Sequence, residues 1–408
     1  MSENVISEVP IYKRGFGLKA EVAGELESDY SSRLISFLQE NEYSLVTEHV
    51  EILLAREFGF CYGVERAVDY AYEARKEFPD RRLFLTTEII HNPRVNRRLI
   101  ELGVQFLSGQ YAPEGRDPIA EIQSSDVVLL PAFGVSTGEL ERLQETGCIL
   151  VDTTCGSVAN VWRRVSRYAR EGCTSIIHGK YNHEETIATA SRAVSAPEAK
   201  YLVVRDMEES EEVCNYIRHG GDRDAFLNRF RHACSDGFDP DRHLQKIGVA
   251  NQTTMLSSES LAIAGKIREA MVDRYGEKES QERFLSFDTI CSATQERQDA
   301  VIELSESGLD LMVVVGGFNS SNTGHLSEIG IAHCPTYHID DTSRIDGPRA
   351  ITHKHHSTGE IQTTENWLLP EHRRIGFTAG ASTPNQVVGE VISTLLELKG
   401  VDWKSLVG

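Results

Sequence analysis

The feature that most constrains the fold is an alternation, from about residue 50 onward, between short apolar runs and longer segments of helical period. The apolar runs end in Gly, Asn, Ser or Thr, and each following segment repeats apolar residues at the spacing of one helix face. This alternation is typical of βα units on parallel sheets. Because the units fall into three blocks of roughly 100 residues or somewhat more, the pattern predicts three similar α/β domains with mostly parallel sheets.

The same pattern divides the chain into an N-terminal arm, three α/β domains and a C-terminal helix with its tail. Their boundaries are, in that order, 1–49, 50–154, 155–283, 284–385 and 386–408. The arm is polar and acidic apart from Leu34, Ile35 and Leu38, and we interpret it as an appended segment. A charged, Gly-rich stretch at about 207–245 interrupts the second domain, and we interpret it as a surface insertion with its own helices.

Composition excludes several classes of partner. The chain carries 42 Lys and Arg against 62 Asp and Glu, a net charge of −20, which argues against nonspecific binding of nucleic acid or anionic membranes. Its longest apolar runs are far too short to span a bilayer, and its first residues lack the apolar core of a signal peptide. Eight cysteines without a CxxC pair indicate reduced thiols. We therefore expect a cytoplasmic protein with no nucleic-acid or membrane partner.

Three cysteines share a sequence context that the other five lack. Cys61, Cys155 and Cys291 each end an apolar strand and precede a small-residue turn into a helix. In parallel α/β folds, ligands and catalytic groups gather at the carboxyl ends of strands. A helix N-terminus also lowers the pKa of a nearby thiol. Roughly one such cysteine falls in each block, so the three thiolates converge if the blocks face a common centre.

Three thiolates suit an iron–sulfur cluster more than a structural zinc ion. A structural zinc site takes four protein ligands, whereas a 4Fe-4S cluster held by three cysteines leaves one iron open to substrate. The alternative is that all three are buried, inert thiols, as most cysteines of intracellular proteins are. The cysteines without the strand-end context are interpreted as core or insertion thiols: Cys148, Cys173, Cys214, Cys234 and Cys334.

Polar residues occupy other loops at the same kind of position. They are His91, His183, Glu184, Glu185, Thr253, Thr254, Asn319, Ser320, Ser321, Asn322 and Ser382. Hydroxyl groups and helix N-terminal amides form an anion site without any lysine. Each residue also has a structural interpretation. It could be a helix cap, a histidine whose hydrogen bonds are made within the protein, or an acidic residue that stabilises the first turn of a helix. Their shared position at strand ends favours a common ligand site.

Eight motifs carry a family resemblance. The segments FCYGVERAV, TEIIHN, DTTC, HGKYNHEETIATAS, ANQTTM, DTICSATQERQDAV, VVVGGFNSSN and GASTP, in this order, resemble the 4-hydroxy-3-methylbut-2-enyl diphosphate reductases of the IspH/LytB family. The resemblance covers about residues 50–400 and is greatest to the plant and cyanobacterial branch. It implies reductive dehydroxylation of that diphosphate to isopentenyl and dimethylallyl diphosphates, the last step of the methylerythritol phosphate pathway.

The resemblance also implies an architecture and roles for individual residues. The three α/β domains would form a trefoil around a central 4Fe-4S cluster, with Cys61, Cys155 and Cys291 as its ligands. Glu185 would supply a proton, and Thr253 would position the substrate hydroxyl or its proton relay. Thr253 would thus bind the hydroxyl end of the substrate, and the residues implied to bind its diphosphate are His91, His183, Ser320, Ser321, Asn322 and Ser382. One departure is Phe133, which stands where many bacterial members have a histidine.

The electrons must come from another protein, because the chain contains neither a GxGxxG motif nor a second cluster motif. A ferredoxin or flavodoxin is the expected donor. Both are usually acidic, so a local basic patch is needed, and two groups of arginines are candidates unless they are merely solvated helix faces. The groups are Arg94, Arg97 and Arg98, and Arg163, Arg164 and Arg167.

Two other functions compete with the reductase. A dehydratase similar to quinolinate synthase would use an open iron without net reduction. An iron–sulfur redox sensor or phosphate-binding protein would hold a cluster or a ligand, but it would not require Glu185 and Thr253 beside it. The alternatives can therefore be distinguished. A dehydratase would consume no electrons, and a sensor or binding protein would not need the Glu185–Thr253 pair.

Overall fold

The computed structural model describes residues 11–113, 118–287 and 289–407. The strands in these ranges are Ile11–Tyr12 (β1), Ser44–Val46 (β2), Glu51–Leu54 (β3), Leu83–Leu85 (β4), Val104–Phe106 (β5), Val127–Leu130 (β6), Ile149–Asp152 (β7), Thr174–His178 (β8), Tyr201–Val204 (β9), Ile247–Asn251 (β10), Phe284–Ser286 (β11), Leu311–Val315 (β12), Thr336–Ile339 (β13), Ile345–Asp346 (β14), Ala350–Lys354 (β15), Ile361–Glu365 (β16) and Arg374–Ala379 (β17).

The α-helices in the same ranges are Lys19–Tyr30 (α1), Arg33–Glu40 (α2), Tyr62–Glu77 (α3), Pro93–Glu101 (α4), Thr137–Glu145 (α5), Gly156–Arg170 (α6), Glu184–Ala193 (α7), Met207–His219 (α8), Arg223–Arg229 (α9), Pro240–His243 (α10), Ser257–Arg283 (α11), Ser292–Ser305 (α12), Ser321–Ile331 (α13), Asn385–Leu398 (α14) and Lys404–Val407 (α15). Helix α11 is kinked at Gly276, where φ is +77°. Throughout the described part of the chain, every helix is too short or too polar to cross a lipid bilayer.

The chain forms two compact units, each assembled from separate segments. Within the described ranges, the first unit contains residues 11–15, 78–87 and 103–291, and the second contains residues 16–77, 88–102 and 292–407. The three domains predicted from sequence, with their boundaries at 50–154, 155–283 and 284–385, stay a prediction.

The first unit contains two sheets, both entirely parallel. Their strand orders are β1-β7-β6-β4-β5 and β11-β10-β8-β9. All residues of β6 and β8 are buried, because helices cover both faces of such sheets. Burial on both faces explains why these strands are unbroken apolar runs in the sequence. The prediction of parallel sheets built from βα units is confirmed here.

The second unit contains one mixed sheet. The order is β14-β15-β13-β12-β17-β3-β2, and β16 extends it by pairing with β15. Strands β13, β12, β17 and β3 are parallel, and the remaining pairs are antiparallel. Strand β3, the opening strand of the first sequence block, pairs with β17 near the end of the chain. Hydrophobic periodicity identifies a strand but not its neighbour, so the sequence could not reveal this pairing.

The segment interpreted as an appended arm contributes β1 to the first unit, and from Phe16 onward it belongs to the second unit. Leu34, Ile35 and Leu38 of α2 are at most 1% exposed and pack with residues of β12, β17 and α14. Strand β2 adds an antiparallel edge to β3. Burying each of these three side chains contributes roughly 1.5–3 kcal/mol, so this segment stabilises the unit that it joins.

The stretch 207–245 forms helices, as predicted, but these helices are not confined to the surface. Val213, Ile217, Phe226 and Phe230 are buried in the same core as strands β8, β9 and β10. Helix α8 also packs against α11. The high charge of the stretch conceals these apolar residues, which recur at the spacing of one helix face.

Candidate active site

In the first unit, five of the residues predicted for the site follow the carboxyl ends of strands. Cys155 precedes α6 after β7, and His183 precedes α7 after β8. Thr253 follows β10, and Cys291 follows β11 at the start of α12. Glu185 lies in the first turn of α7. This placement follows from the fold, because the carboxyl ends of parallel strands open onto the helix N-termini that come next in the chain.

Glu185 and Thr253 form a buried pair. Glu185 is 2% exposed and Thr253 is 7% exposed. The backbone N–H of Thr253 donates to Oε1 of Glu185 at 2.6 Å, and the Thr253 hydroxyl donates to Oε2 at 2.9 Å. Because each carboxyl oxygen has its own donor, the side chain is held in one orientation. A carboxyl group held in this way can accept a proton and return it at a fixed position.

His183 combines a structural role with a possible ligand role. It is the N-cap of α7, and its Nδ1 accepts a hydrogen bond from the backbone N–H of Glu185 at 3.2 Å. The neutral ring therefore carries its hydrogen on Nε2, where it can donate to an anion. Phe133 packs edge-on against this ring, with ring centroids 6.3 Å apart. The residue singled out as a departure from the family pattern thus supports His183 by an aromatic contact.

Gln252 was not predicted from the sequence, although it connects two predicted loops. It is 1% exposed, and its Oε1 accepts from the backbone N–H of Lys180 and from the Thr186 hydroxyl, both at 3.1 Å. Its Nε2 donates to Thr254 Oγ1 at 2.7 Å. Gln252 therefore fixes the loop before Glu185 against the loop that carries Thr253. A buried amide inside the ANQTTM motif was the available sequence signal.

Cys155 and Cys291 are close enough to interact electrostatically. Burial, the largest cause, raises the pKa of the Cys155 thiol. The N–H groups of Ser157 and Val158 at the start of α6 act in the opposite direction, and the charge of Cys291 raises the pKa further. The helix N-terminus therefore lowers this pKa as expected, but burial outweighs it and the net shift is upward. A bound metal ion would displace the proton, since a coordinating thiol is deprotonated outright.

In the second unit, Cys61 lies in a turn that runs beside the loop of Ser382. The N–H groups of Gly59 and Cys61 donate to the carbonyls of Ala379 and Ala381, at 3.2 and 3.1 Å. The Ser382 hydroxyl donates to the carbonyl of His91 at 3.2 Å. These bonds continue the pairing of β3 with β17 into the two loops. They bring three of the predicted segments together within this unit.

Glu88 orients His91. A hydrogen bond of 3.1 Å joins Glu88 Oε2 to His91 Nδ1, and Asn319 Nδ2 donates to the same oxygen at 3.0 Å. Because Glu88 accepts at Nδ1, the ring is fixed, and its Nε2 can donate to an anion when the ring is protonated.

A Cβ atom on Gly317 would lie 2.4 Å from the His91 carbonyl oxygen, so only glycine permits this approach.

Ser320, Ser321 and Asn322 form the N-terminus of α13. Ser320 is the N-cap, and its Oγ accepts from the Thr323 N–H at 3.3 Å and from the Thr323 hydroxyl at 3.0 Å. Asn322 is 2% exposed, and its Oδ1 accepts from the Ala381 N–H at 2.8 Å. Its Nδ2 has no acceptor among the described residues. A buried donor without an acceptor costs about 1–3 kcal/mol, which an anionic ligand would offset.

Each unit therefore assembles part of the predicted set. The first unit brings Glu185 into contact with Thr253 and His183, and it brings Cys155 near Cys291. The second unit connects the Cys61 turn, the His91 loop, the Ser382 loop and the N-terminus of α13. Neither set contains a lysine, so each would hold an anion through neutral donors, histidine rings and helix N-termini.

Comparison with known protein families identifies the relatives of this chain. The family model described as LytB protein matches residues 52–396. The 4-hydroxy-3-methylbut-2-enyl diphosphate reductase of Gloeobacter violaceus is 50% identical over 395 residues, which cover 96% of this chain and 93% of that protein. The protein of the same name from a Picosynechococcus species is 50% identical over 389 residues, which cover 95% and 94% of the two chains.

Solved structures agree with this relationship. A structure described as (E)-4-hydroxy-3-methyl-but-2-enyl diphosphate reductase, the terminal enzyme of the non-mevalonate pathway, is 26% identical with a TM-score of 0.52, and the match covers 85% of this chain and 99% of that one. A diphosphate reductase from Plasmodium falciparum shares the fold, with 22% identity, a TM-score of 0.62 and coverage of 85% and 87%. The match to the family model spans most of the chain, and the chain therefore belongs to the LytB protein family.

Proposed function

We propose that this chain reduces 4-hydroxy-3-methylbut-2-enyl diphosphate to isopentenyl and dimethylallyl diphosphates, the last step of the methylerythritol phosphate pathway. The reaction consumes two electrons and two protons, breaks the allylic C–O bond, forms one C–H bond and releases water. The observation that carries the proposal is 50% identity, over 96% of the chain, to a reductase of that name. The buried Glu185–Thr253 pair supports it, because the rival sensor function requires no such pair.

The chemistry of the three strand-end cysteines fits an iron–sulfur cluster. Cys61, Cys155 and Cys291 would hold a 4Fe-4S cluster, and the proximity of two partly buried thiols, Cys155 and Cys291, favours a shared metal group over isolated core thiols. When bound, such a cluster supplies the electrons and, at the iron without a cysteine, a Lewis acid for the substrate oxygen. None of the eight cysteines, all in described ranges, forms a disulfide, which supports a reducing compartment such as the cytoplasm.

Glu185 would hold the proton that the departing hydroxyl requires. Its carboxyl group accepts two hydrogen bonds from Thr253, so its orientation is set before substrate arrives. Because the Thr253 hydroxyl can rotate, it can accept the proton of a protonated Glu185 while it donates its own hydrogen to the departing substrate oxygen. In this arrangement Thr253 positions the substrate oxygen, and Glu185 acts as the general acid.

The diphosphate would be bound by neutral donors and histidine rings. The proposed residues are His91, His183, Ser320, Ser321, Asn322 and Ser382. Asn322 supports this assignment, because its buried Nδ2 has no acceptor among the described residues. The N-terminus of α13 adds backbone donors and a favourable helix dipole. Local donors of this kind are needed, since a net charge of −20 does not attract an anion.

A ferredoxin or flavodoxin would deliver the electrons, and the two candidate arginine groups differ as docking sites. Arg94 and Arg98 are each paired with a carboxylate, Glu390 at 2.6 Å and Asp29 at 2.8 Å. On α6, which begins next to Cys155, Arg167 pairs with Glu171, but exposed Arg163 pairs with no carboxylate among the described residues. The α6 face therefore keeps positive charge for an acidic partner, and we favour it as the docking site.

Anaerobic purification tests the proposed function. We expect a brown protein with about four iron and four sulfide ions per chain, as a 4Fe-4S cluster requires. The spectrum should change when the diphosphate alcohol is added, and a reduced dye should drive product formation. Replacing Cys61, Cys155 or Cys291 by Ser should reduce the iron content, whereas Cys148→Ser serves as the control. Conversion of the substrate without consumption of electrons would instead support a dehydratase.

A further inference from the structure

A buried arginine outside the proposed site holds the turn that carries Cys61. Arg297 lies on α12 and is 4% exposed. It forms no ion pair with a carboxylate in the described ranges. Its guanidinium donates instead to backbone carbonyls: to Gly59 from Nε at 3.2 Å and from Nη2 at 3.0 Å, to Phe60 at 3.2 Å, to Phe58 at 3.5 Å and to Ala293 at 2.8 Å.

The opposite side of the same turn is held by backbone bonds. The N–H groups of Gly59 and Cys61 donate to Ala379 and Ala381. Gly59 has a φ of +68°, and a Cβ atom there would lie 2.9 Å from Asn385 Oδ1. The turn is therefore bound through its N–H groups on one side and through its carbonyls on the other. A turn bound on both sides holds the residue that follows it, Cys61, in one position.

We infer that Arg297 is a positioning residue for the metal-binding thiol of Cys61, and that its charge also compensates the thiolate. The inference rests on the ligand set proposed above. Burying a guanidinium against carbonyls alone costs free energy, because no counter-ion offsets the desolvation of its charge. Its planar fork of donors can reach three successive carbonyls, which a lysine ammonium cannot do. Arg297 thus makes two separable contributions, one through its geometry and one through its charge.

Three variants of the full-length, cluster-loaded chain separate these contributions. Arg297→Gln removes the charge and the fork, and Arg297→Lys keeps the charge but not the fork. Arg374→Lys is the control, since Arg374 also lies in the second unit and donates to a carbonyl, that of Ser307, although it is partly exposed and pairs with Glu51. The readouts are the rate of iron release to a chelator and the reduction potential of the cluster, neither of which requires turnover.

We expect Arg297→Gln to release iron about tenfold faster or more, as the loss of a charge-assisted hydrogen bond would produce, and to shift the reduction potential to more negative values. Arg297→Lys should release iron faster as well, but its potential should stay near that of the wild-type chain. Arg374→Lys should match the wild-type chain in both readouts. Circular dichroism of each loaded variant establishes that it is folded.

The inference is overturned if Arg297→Lys, which is the variant more certain to fold, releases iron at the wild-type rate. It is also overturned if the Arg374→Lys control loses iron as fast as the Arg297 variants, because the effect would then reflect general stability. Failure of the proposed function gives a different result, because the loaded wild-type chain would then form no product with a reduced dye, whatever the Arg297 variants do. If Cys61 is not a ligand, Cys61→Ser would hold as much iron as the wild-type chain.

Discussion

Replacing Glu185 by glutamine separates the proton-donor role from the structural role of this side chain. The substitution keeps the shape of the side chain and one of its oxygens. The Thr253 N–H, which donates to Oε1 at 2.6 Å, can therefore keep an oxygen as its acceptor. The new amide nitrogen takes the place of Oε2, which lies 2.9 Å from the Thr253 hydroxyl. Because that hydroxyl can reverse its role and accept, neither group is left without a partner.

The substitution has two expected effects, one on stability and one on turnover. Exchanging two hydrogen bonds to a carboxylate for two neutral ones costs about 2–3 kcal/mol of stability, since each charge-assisted bond contributes about 1.5–3 kcal/mol and each neutral one about 0.5–1.5 kcal/mol. Loss of a general acid lowers turnover roughly 10²–10⁴-fold. That loss corresponds to about 2.7–5.5 kcal/mol in the activation barrier. Turnover should therefore collapse while the fold and the cluster persist.

The assay compares turnover, iron content and thermal unfolding in Glu185→Gln and in a matched control. Glu209→Gln is suitable, because Glu209 is also a buried glutamate of the first unit that accepts a backbone hydrogen bond, from Arg205 at 2.7 Å. We expect the two variants to unfold at similar temperatures and to hold similar iron, with turnover lost only in Glu185→Gln. Turnover close to the wild-type rate in Glu185→Gln would refute the general-acid role.

Three further predictions concern the diphosphate, the electron donor and pH. Asn322→Ala should raise KM for the substrate about tenfold or more with iron content unchanged, because one buried donor is lost, and an unchanged KM would contradict its role. Arg163→Glu should slow reduction by ferredoxin at low salt but not by a small dye, whereas Arg97→Glu should affect neither. Burial lowers the pKa of His338 to about 4, while an unfolded histidine titrates near about 6.5, so about 3 kcal/mol of stability, complete above the higher value, should be lost as pH falls toward the lower one. Denaturant unfolding between those pH values measures this loss, and an equal loss in His338→Gln would exclude His338 as its cause.

The part of the site that could be predicted from sequence is the part governed by local rules. Cys155, His183 and Ser320 are strand-end residues that precede helices, and the structure places each of them as the N-cap of its helix. A strand, its end and the following helix are all defined within about 20 residues of sequence, where periodicity and capping signals apply. These positions could be predicted from the sequence for that reason.

Features that depend on contacts between distant segments could not be predicted from the sequence. Gln252, Glu88 and Arg297 contact loops that lie elsewhere in the sequence, and periodicity does not indicate which loops those are. The pairing of β3 with β17 and the burial of Leu34 in the core of the second unit are long-range in the same way. Such contacts depend on which elements become neighbours, and periodicity carries no information about that choice.

The structural and functional interpretations of the strand-end residues do not exclude each other. Ser320 accepts two hydrogen bonds as an N-cap, and its own hydroxyl hydrogen is thereby directed away from the helix. His183 caps α7 through Nδ1, so the cap uses one of its two ring nitrogens. A helix N-terminus presents donors and a partial positive charge, and both a capping side chain and an anion satisfy that same requirement. A chain with a net charge of −20 can therefore bind a diphosphate by using its caps as ligands, without a lysine in either set of residues.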